Sequence, residues 1–208
     1  SLQRTHRPHQ RRQHPAKDRP RRRPRIQMSE KIDPLAVQFG LIHDCVRACV
    51  FGDYIMRRRD KLDAWWSIAD MCYSDAVLSW NGIFGVDSQE SHWKNFTKQE
   101  SIPINSKLNP FSADLLLRHL GMSCSEWSSY WKTMTQVRNK RLAHFDHRVS
   151  MSDYPNVTKA LHSACFYRLW LKSLVEEKNK FGEGVAFDGP TNDEMINLFR
   201  SQIEAVCS

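Results

Sequence analysis

The sequence predicts an all-α fold, a bundle of four or five helices. Apolar residues recur at three- and four-residue spacing in each long patterned segment, and helix-capping signals precede several of these segments. No alternating apolar–polar run is long enough to support a sheet. Since 40% of the 208 residues are apolar, the chain can fill one core, and we expect one helical domain at residues 28–208.

Two long helices are expected first. Asp33-Pro34 supplies an N-cap and a first-turn proline for a helix that ends near residues 57–60. The second helix runs from about Leu62 to Ile83, and Asp70 and Asp75 within it are candidate partners for arginines elsewhere. Its apolar residues cover much of the circumference, which predicts a central position, or a dimer interface as well as a core contact. This apolar set includes Trp65, Trp66, Ile68, Met71, Val77 and Trp80.

A long connection at residues 84–109 follows, and connections of this length are often functional or mobile. His92-Trp93-Lys94 within it offers an aromatic ring and two cationic groups. Two roles are open for this tripeptide: an RNA base stacks on the tryptophan, or the tryptophan anchors the loop to the body of the domain. We favour the second role.

The remaining helices carry clear end signals. A short helix starts at Asn109-Pro110 and is closed by Gly121. Ser123-Cys124-Ser125-Glu126 is a capping box that opens a helix extending to about His144. Pro155 starts a long helix to about Lys180, and a second capping box at residues 191–194 opens the last helix.

The high pI of the chain is caused by the basic residues of its first segment. Residues 1–27 hold nine Arg and one Lys against one Asp, a net charge of +9, whereas the whole chain carries +8, so residues 28–208 carry −1. The segment has few aliphatic residues and no periodicity, which predicts a disordered basic tail. Two interpretations stay open: an arm that binds nucleic-acid phosphates, or vector-encoded or translated upstream sequence, with the domain starting at Met28.

Several classes of function lack their sequence signals. The six cysteines form no Cys-x-x-Cys pair, and although Cys45 and Cys49 share a helix face, no second pair completes a zinc site. Phosphate-binding and dinucleotide-binding loops, and hydrolase and metalloprotease motifs, are missing. No apolar run approaches the ~20 residues of a membrane span, and no signal peptide is visible. We therefore expect a cytoplasmic protein with reduced thiols, no metal, no cofactor and no membrane association.

The stretch from Arg138 to Asp146 carries the chemistry. It lies at the end of a helix that has an apolar face, formed by Trp127, Tyr130, Trp131, Met134 and Val137. Arg138 and Arg141 fall on that face, where an ionised guanidinium needs a carboxylate, a carbonyl or a phosphate. His144 lies six residues after Arg138, about 120° around the axis and ~9 Å along it. The two side chains converge if the helix ends near His144, or if two copies of the chain pack face to face.

These residues suit metal-independent cleavage of RNA, in which the ribose 2′-OH attacks its own phosphodiester. His144 exchanges protons near neutrality because its reference pKa is about 6.5. Arg138 offers a forked, always-charged donor to phosphoryl oxygens, and Asn139 holds the histidine or a phosphate oxygen. Lys140, Arg141 and His147 are candidate substrate-binding residues. The structural alternative is that both arginines pair with acids of neighbouring helices and that His144 caps the helix C-terminus.

Arg138-Asn139, four further residues and His144, placed on this helix, resemble the motif of the HEPN superfamily (higher eukaryotes and prokaryotes nucleotide-binding). The string from Arg138 to Asp146 is most similar to the abortive-infection type U branch, and the resemblance covers roughly residues 34–180. It implies an RNA substrate, catalytic roles for Arg138, Asn139 and His144, and two motifs that meet across a homodimer interface. Some HEPN toxins carry a tyrosine two residues after the histidine, where a partner enzyme adds nucleotides. In this sequence Asp146 occupies that position, so we do not expect the chain to be silenced by addition of nucleotides to a tyrosine.

Three functional hypotheses follow. The first is a homodimeric endoribonuclease that acts as a toxin or phage-defence effector, with an antitoxin protein as a partner. The second is a non-catalytic HEPN module that binds RNA, nucleotide or a partner protein, favoured by the near-neutral charge of residues 28–208. The third is a helical scaffold in which Arg138 closes a buried ion pair.

Overall fold

Seven α-helices and one π-helical segment make up the described part of the computed structural model, which comprises residues 33–57, 63–143, 155–185 and 189–207, with only the backbone described at 141–143. No strand occurs in these residues, so the all-α prediction is confirmed, whereas the predicted count of four or five helices is too low. Contacts divide the chain into residues 1–31 and 32–208, and every described residue belongs to the second unit. The predicted tail at residues 1–27 lies outside the described residues. The helices are α1 Pro34–Arg57, α2 Asp63–Phe84, α3 Trp93–Gln99, α4 Ala113–Leu120, α5 Cys124–Val137, α6 Val157–Lys180 and α7 Asn192–Cys207.

The predicted caps of α1, α5 and α7 are confirmed. Asp33 Oδ1 accepts a hydrogen bond from the Leu35 amide at 3.0 Å. The box at Ser123 and Glu126 closes in both directions, with the Glu126 amide donating to Ser123 Oγ at 3.2 Å and the Ser123 amide donating to Glu126 Oε2 at 2.7 Å. The box at the start of α7 has the same reciprocal bonds. These bonds satisfy backbone amides that have no partner within the helix.

Two sequence predictions are wrong between residues 84 and 120. The connection contains a helix, α3, whose seven residues give too few turns to show a periodic apolar face. The cap of α4 is Ser112, whose Oγ accepts from the Leu115 amide at 3.2 Å. Asn109 lies outside α4, and its carbonyl accepts from the indole of Trp170 at 2.9 Å.

The core lies where α1, α2, α5 and α6 meet. Trp80 of α2 is fully buried, and its indole donates to Ser163 Oγ of α6 at 2.9 Å. Its ring lies 5.6 Å from Trp127 and 5.5 Å from Tyr130, both on α5. This aromatic cluster holds α5 against α2, and it fixes the position of the segment that follows α5.

Only one side of the helix α2 is buried in the core. Its buried side faces the core, whereas Ile68, Met71 and Leu78 lie away from it, 39%, 69% and 49% exposed, with the exposed carboxylate of Asp75 between Met71 and Leu78. At 100° per residue these three side chains share one face of the helix. These three side chains are here called the α2 apolar face.

The helix α1 corrects the expectation that no stretch is long enough to span a membrane. It has 24 residues, and its most apolar window has a mean hydropathy of 1.3. By length and composition alone such a helix can cross a bilayer. Buried residues make up 44% of that window, and a core helix has the same composition.

Candidate functional site

The helix α5 changes its hydrogen-bond pattern at Arg138. Up to Val137 the helix is α, and from Arg138 to Ala143 it is a π-helix. Segments of π-helix are rare and occur frequently at functional sites. The prediction of one continuous α-helix to His144 is therefore wrong over its last turns, and the predicted angular relation between Arg138 and His144 does not apply to this segment.

A buried asparagine on α2 contacts the helix just before this change. Asn81 is fully buried, and its Nδ2 donates to the carbonyl of Met134 at 3.3 Å as well as to its own helix at Val77. Its Oδ1 accepts from the Thr135 hydroxyl at 3.5 Å. The Met134 carbonyl thus serves both the Arg138 amide and a side chain from another helix, and the Arg138 amide also contacts the Thr135 carbonyl. These bonds fix the last turn of α5 against α2 directly before the π segment.

Neutral amide groups orient the guanidinium of Arg138, which is partly exposed. Its Nε donates to Oδ1 of the adjacent Asn139 at 3.0 Å. With the Gln89 amide assigned in the orientation that satisfies both neighbours, its oxygen accepts from Arg138 Nη1 at 3.1 Å and its nitrogen donates to the Asn81 carbonyl at 2.6 Å. Gln89 therefore links the buried end of α2 to the guanidinium.

The loop that carries Gln89 is fixed by two contacts. The indole of Trp131 on α5 donates to the carbonyls of Phe84 at 2.8 Å and Gly85 at 2.9 Å. The Gly85 amide donates to the Asn81 carbonyl at 2.9 Å, and a Cβ at Gly85 would lie only 2.4 Å from that oxygen. Glycine is thus required here by close backbone approach. The sequence did not single out Gly85, Asn81 or Gln89 as functional residues.

The expected acidic partner of Arg138 is not found among the described residues. No ion pair joins Arg138 to any of their carboxylates, and Asp75 contacts Arg47 of α1 at 3.5 Å. A guanidinium held by neutral amides, with no carboxylate of the described residues paired to it, presents its charge to a ligand. This arrangement differs from the buried ion pair that the scaffold hypothesis requires.

The structure describes some of the predicted site residues and not others. Arg138 and Asn139 contact each other, and the side chains of Asn139 and Lys140 are exposed. The backbone of Arg141 belongs to the π segment, and its side chain is not described. His144, Asp146 and His147 lie outside the described residues. Within residues 33–57, 63–143, 155–185 and 189–207 no group of three or more His, Cys, Asp or Glu could hold a metal ion.

The tripeptide His92-Trp93-Lys94 anchors its loop, as favoured from the sequence. His92 is 2% exposed and caps α3, its Nδ1 accepting from the Lys94 amide at 3.2 Å. The Trp93 ring lies 5.1 Å from that of Phe111. Asp87 Oδ1 lies 3.4 Å from His92 Nε2, and Asp87 Oδ2 accepts from Lys94 Nζ at 2.8 Å. The side chains of this cluster are engaged in holding the loop.

His92 gives the loop a predictable response to acid. Burial lowers the pKa of His92, and Lys94 lowers it further, against the opposing effect of Asp87. Because the unfolded-state pKa is about 6.5, the unfolded chain takes up the proton first, so the free energy of unfolding falls as the pH decreases below that value. We expect a smaller decrease in His92→Asn, since asparagine is a good N-cap with no titrating group. Melting temperatures at about pH 7.5 and about pH 5, above the range where carboxylates titrate, measure the difference. Equal decreases in the two proteins would contradict the assignment.

The six cysteines are free thiols. Cys45, Cys49 and Cys207 are buried, as expected, whereas Cys124 is exposed. The contact with Cys49 and burial raise the pKa of Cys45, and burial raises the pKa of Cys165 to about 12. Thiols in this state are poor nucleophiles and poor metal ligands.

Comparisons of the chain with protein-family models, with curated proteins and with solved structures find no match.

Proposed function

We propose that the chain is a metal-independent endoribonuclease of the HEPN type, a toxin or phage-defence effector. The observation that carries the proposal is the guanidinium of Arg138. It is partly exposed, is oriented by Gln89 and Asn139, and stands at the start of a π segment six residues before His144. A preoriented cation whose charge no described carboxylate neutralises is what a crowded, negatively charged phosphorane requires.

In this mechanism the ribose 2′-OH attacks the adjacent phosphorus, and the bond to the 5′ oxygen of the next nucleotide breaks. His144 takes the proton from the 2′-OH or gives one to the leaving oxygen, a contribution typically worth about 10²–10⁴-fold. Arg138 stabilises the charge on the non-bridging oxygens, and Asn139 and Gln89 keep its guanidinium in place. Lys140, Arg141 and His147 contact neighbouring phosphates. The products are a 2′,3′-cyclic phosphate and a 5′-hydroxyl.

The α2 apolar face supports the homodimer within this proposal. Exposed apolar side chains gain free energy when a second copy of the chain covers them. Two copies that pack together bring two Arg138–His144 motifs near one another, which is the composite site that the HEPN resemblance implies. An antitoxin protein is a further partner of the proposed toxin.

A substrate lacking one 2′-hydroxyl tests the proposal. With the full chain in EDTA, we expect cleavage of RNA to fragments that end in 2′,3′-cyclic phosphate. An oligoribonucleotide with a single 2′-deoxy substitution directly 5′ of a mapped cut site should remain intact at that position. Inhibition by EDTA would indicate a metal-dependent reaction, and cleavage of the deoxy substrate would indicate another nucleophile; either result would contradict the mechanism.

The second candidate is a non-catalytic HEPN module that binds RNA, nucleotide or a partner protein. The net charge of −1 over residues 28–208 favours it, because nucleases that hold long RNA usually present a basic surface. Binding of RNA by the full chain without any cleavage would support this candidate over the endoribonuclease.

A further inference from the structure

The loop between α2 and α3 carries Gln89, the residue whose side chain holds the guanidinium of Arg138. Within this loop the Gln89 amide donates to the Val86 carbonyl at 3.0 Å, and the Gln89 carbonyl accepts from the His92 amide at 3.0 Å. Both bonds join residues that are three positions apart, and neither of them reaches a residue inside α3. A further group has to connect the loop to that helix.

Asn95, in the first turn of α3, makes this connection. Its Nδ2 donates to the carbonyl of Asp87 at 2.7 Å and to the carbonyl of Gln89 at 2.7 Å. Because a side-chain amide has two N–H donors, each of them contacts one carbonyl of the loop. The backbone amide of Asn95 donates to the His92 carbonyl at 2.8 Å, so the residue itself is held by the start of the helix. The half-buried Asn95 side chain therefore ties two backbone groups of the loop to α3.

A continuous series of hydrogen bonds runs from Asn95 to Arg138. Asn95 holds the carbonyl of Gln89, and the Gln89 side-chain oxygen accepts from Arg138 Nη1 at 3.1 Å. The Gln89 side-chain nitrogen donates to the carbonyl of the buried Asn81 at 2.6 Å. The side chain thus spans two partners on α2 and at the end of α5, and a shift of the Gln89 backbone moves it relative to both.

We propose that Asn95 is a positioning residue of the candidate site, which orients the guanidinium of Arg138 through Gln89. The inference rests on the proposed function, and it gives α3 a role in holding the group that stabilises the phosphorane. Asn95 acts through another residue, so it needs no contact with the RNA. Since Arg138 stabilises charge that develops in the transition state, loss of its orientation lowers kcat and leaves KM unchanged.

Replacement of Asn95 by alanine removes both donors and leaves a residue that favours helix. In cleavage of RNA by the full chain we expect kcat to fall by roughly 10–100-fold at unchanged KM, since displacement of a catalytic group by ~1 Å can cost about 10²-fold. Thr97→Ala is the matched control on the same helix. The Thr97 hydroxyl donates within α3, to the Lys94 carbonyl at 3.3 Å, so its loss should leave kcat within about twofold.

The Arg138→Ala background separates positioning from a purely structural role. If Asn95 acts through Arg138, Asn95→Ala should change kcat by less than about twofold in a chain that already lacks the guanidinium. A loss of folded protein would instead slow both backgrounds by the same factor. An equal factor in the two backgrounds, or an unchanged kcat in Asn95→Ala alone, would overturn the proposal.

Heteronuclear NMR of the Arg138 guanidinium tests the same link without catalysis. The bond from Nη1 to Gln89 hinders rotation of the guanidinium, so its two Nη groups should give separate signals, assigned by their loss in Arg138→Lys. These signals should merge in Asn95→Ala and stay separate in Thr97→Ala. Merged signals in the unmodified chain, or separate signals in Asn95→Ala, would contradict the positioning role.

The two readouts keep this inference distinct from the proposed function. A guanidinium that loses its order in Asn95→Ala, in a chain that never cleaves RNA, would leave the positioning role assigned and remove the endoribonuclease. Cleavage of RNA that does not respond to Asn95→Ala would remove the positioning role and leave the endoribonuclease.

Discussion

Replacement of Arg138 by alanine is expected to slow RNA cleavage by roughly 10²–10³-fold, the usual cost of removing one preorganised donor from a developing negative charge. The fold should survive, because Arg138 is partly exposed and its described partners are the neutral amides of Gln89 and Asn139. Single-turnover rates with a mapped oligoribonucleotide, together with the melting temperature, separate the two effects. Under the scaffold hypothesis the melting temperature falls sharply instead.

Lys132→Ala is the matched control for charge. Lys132 is an exposed residue of α5 outside the proposed site, so its loss removes one positive charge and should leave the cleavage rate within about twofold. If Lys132→Ala slows cleavage as much as Arg138→Ala does, general electrostatic attraction explains the effect and the specific role of Arg138 is wrong.

Mixing two inactive variants tests where the site residues come from. If Arg138 of one subunit acts with His144 of the other, a heterodimer of Arg138→Ala and His144→Ala contains one intact site. Co-refolding of equal amounts of the two variants should then restore about a quarter of the activity of the unmodified chain, because about half of the dimers are heterodimers and each holds one intact site of two. A mixture that stays inactive although heterodimers form would contradict a site shared between subunits.

Gly85→Ala is expected to destabilise the protein by about 3 kcal/mol, the upper end of the usual range for overpacking. The new Cβ would lie 2.4 Å from the Asn81 carbonyl oxygen, a backbone atom that cannot move aside. For a domain of this size we expect the melting temperature to fall by roughly 6–12 °C. Displacement of the loop also withdraws Gln89 from Arg138, so cleavage should weaken even at temperatures where the variant stays folded.

Gly40→Ala, in contrast to Gly85→Ala, is expected to stabilise the protein. Gly40 lies within α1, and no atom lies within 4 Å of the place that a Cβ would take there. Alanine at this position should raise the free energy of unfolding by about 0.5–1 kcal/mol, because glycine loses more backbone entropy on helix formation. A similar destabilisation by both substitutions would show that the contact with Asn81 is not the cause.

The helices and their caps are predictable from sequence because they depend on residues close together in the chain. The boxes at Ser123–Glu126 and Thr191–Glu194 each need only four residues, and both form as expected. Periodicity likewise places α1, α2, α6 and α7 within one or two residues of their observed ends. The helix α3 escapes detection because its seven residues include only one that is buried, Phe96.

The partners of Arg138 are not predictable in the same way. Gln89 reaches Arg138 across a separation of 49 positions, and neither residue carries a local signal for the other. A basic side chain on an apolar face favours a carboxylate in sequence reasoning, and Asp70 and Asp75 were therefore the expected partners. The contact of Asn81 with the Met134 carbonyl, which lies just before the π segment, is also tertiary. Sequence alone predicts site roles for Arg138 and Asn139, which stay predictions, whereas the contacts that hold the guanidinium are visible only in the structure.

The most direct test of the proposed function is the dependence of cleavage on His144. The full chain and its His144→Ala variant are incubated in EDTA with total RNA and with a tRNA pool, and fragment ends are analysed. The account predicts fragments with 2′,3′-cyclic phosphate ends from the unmodified chain only. Equal fragments from both proteins, or no fragments from either, would contradict it.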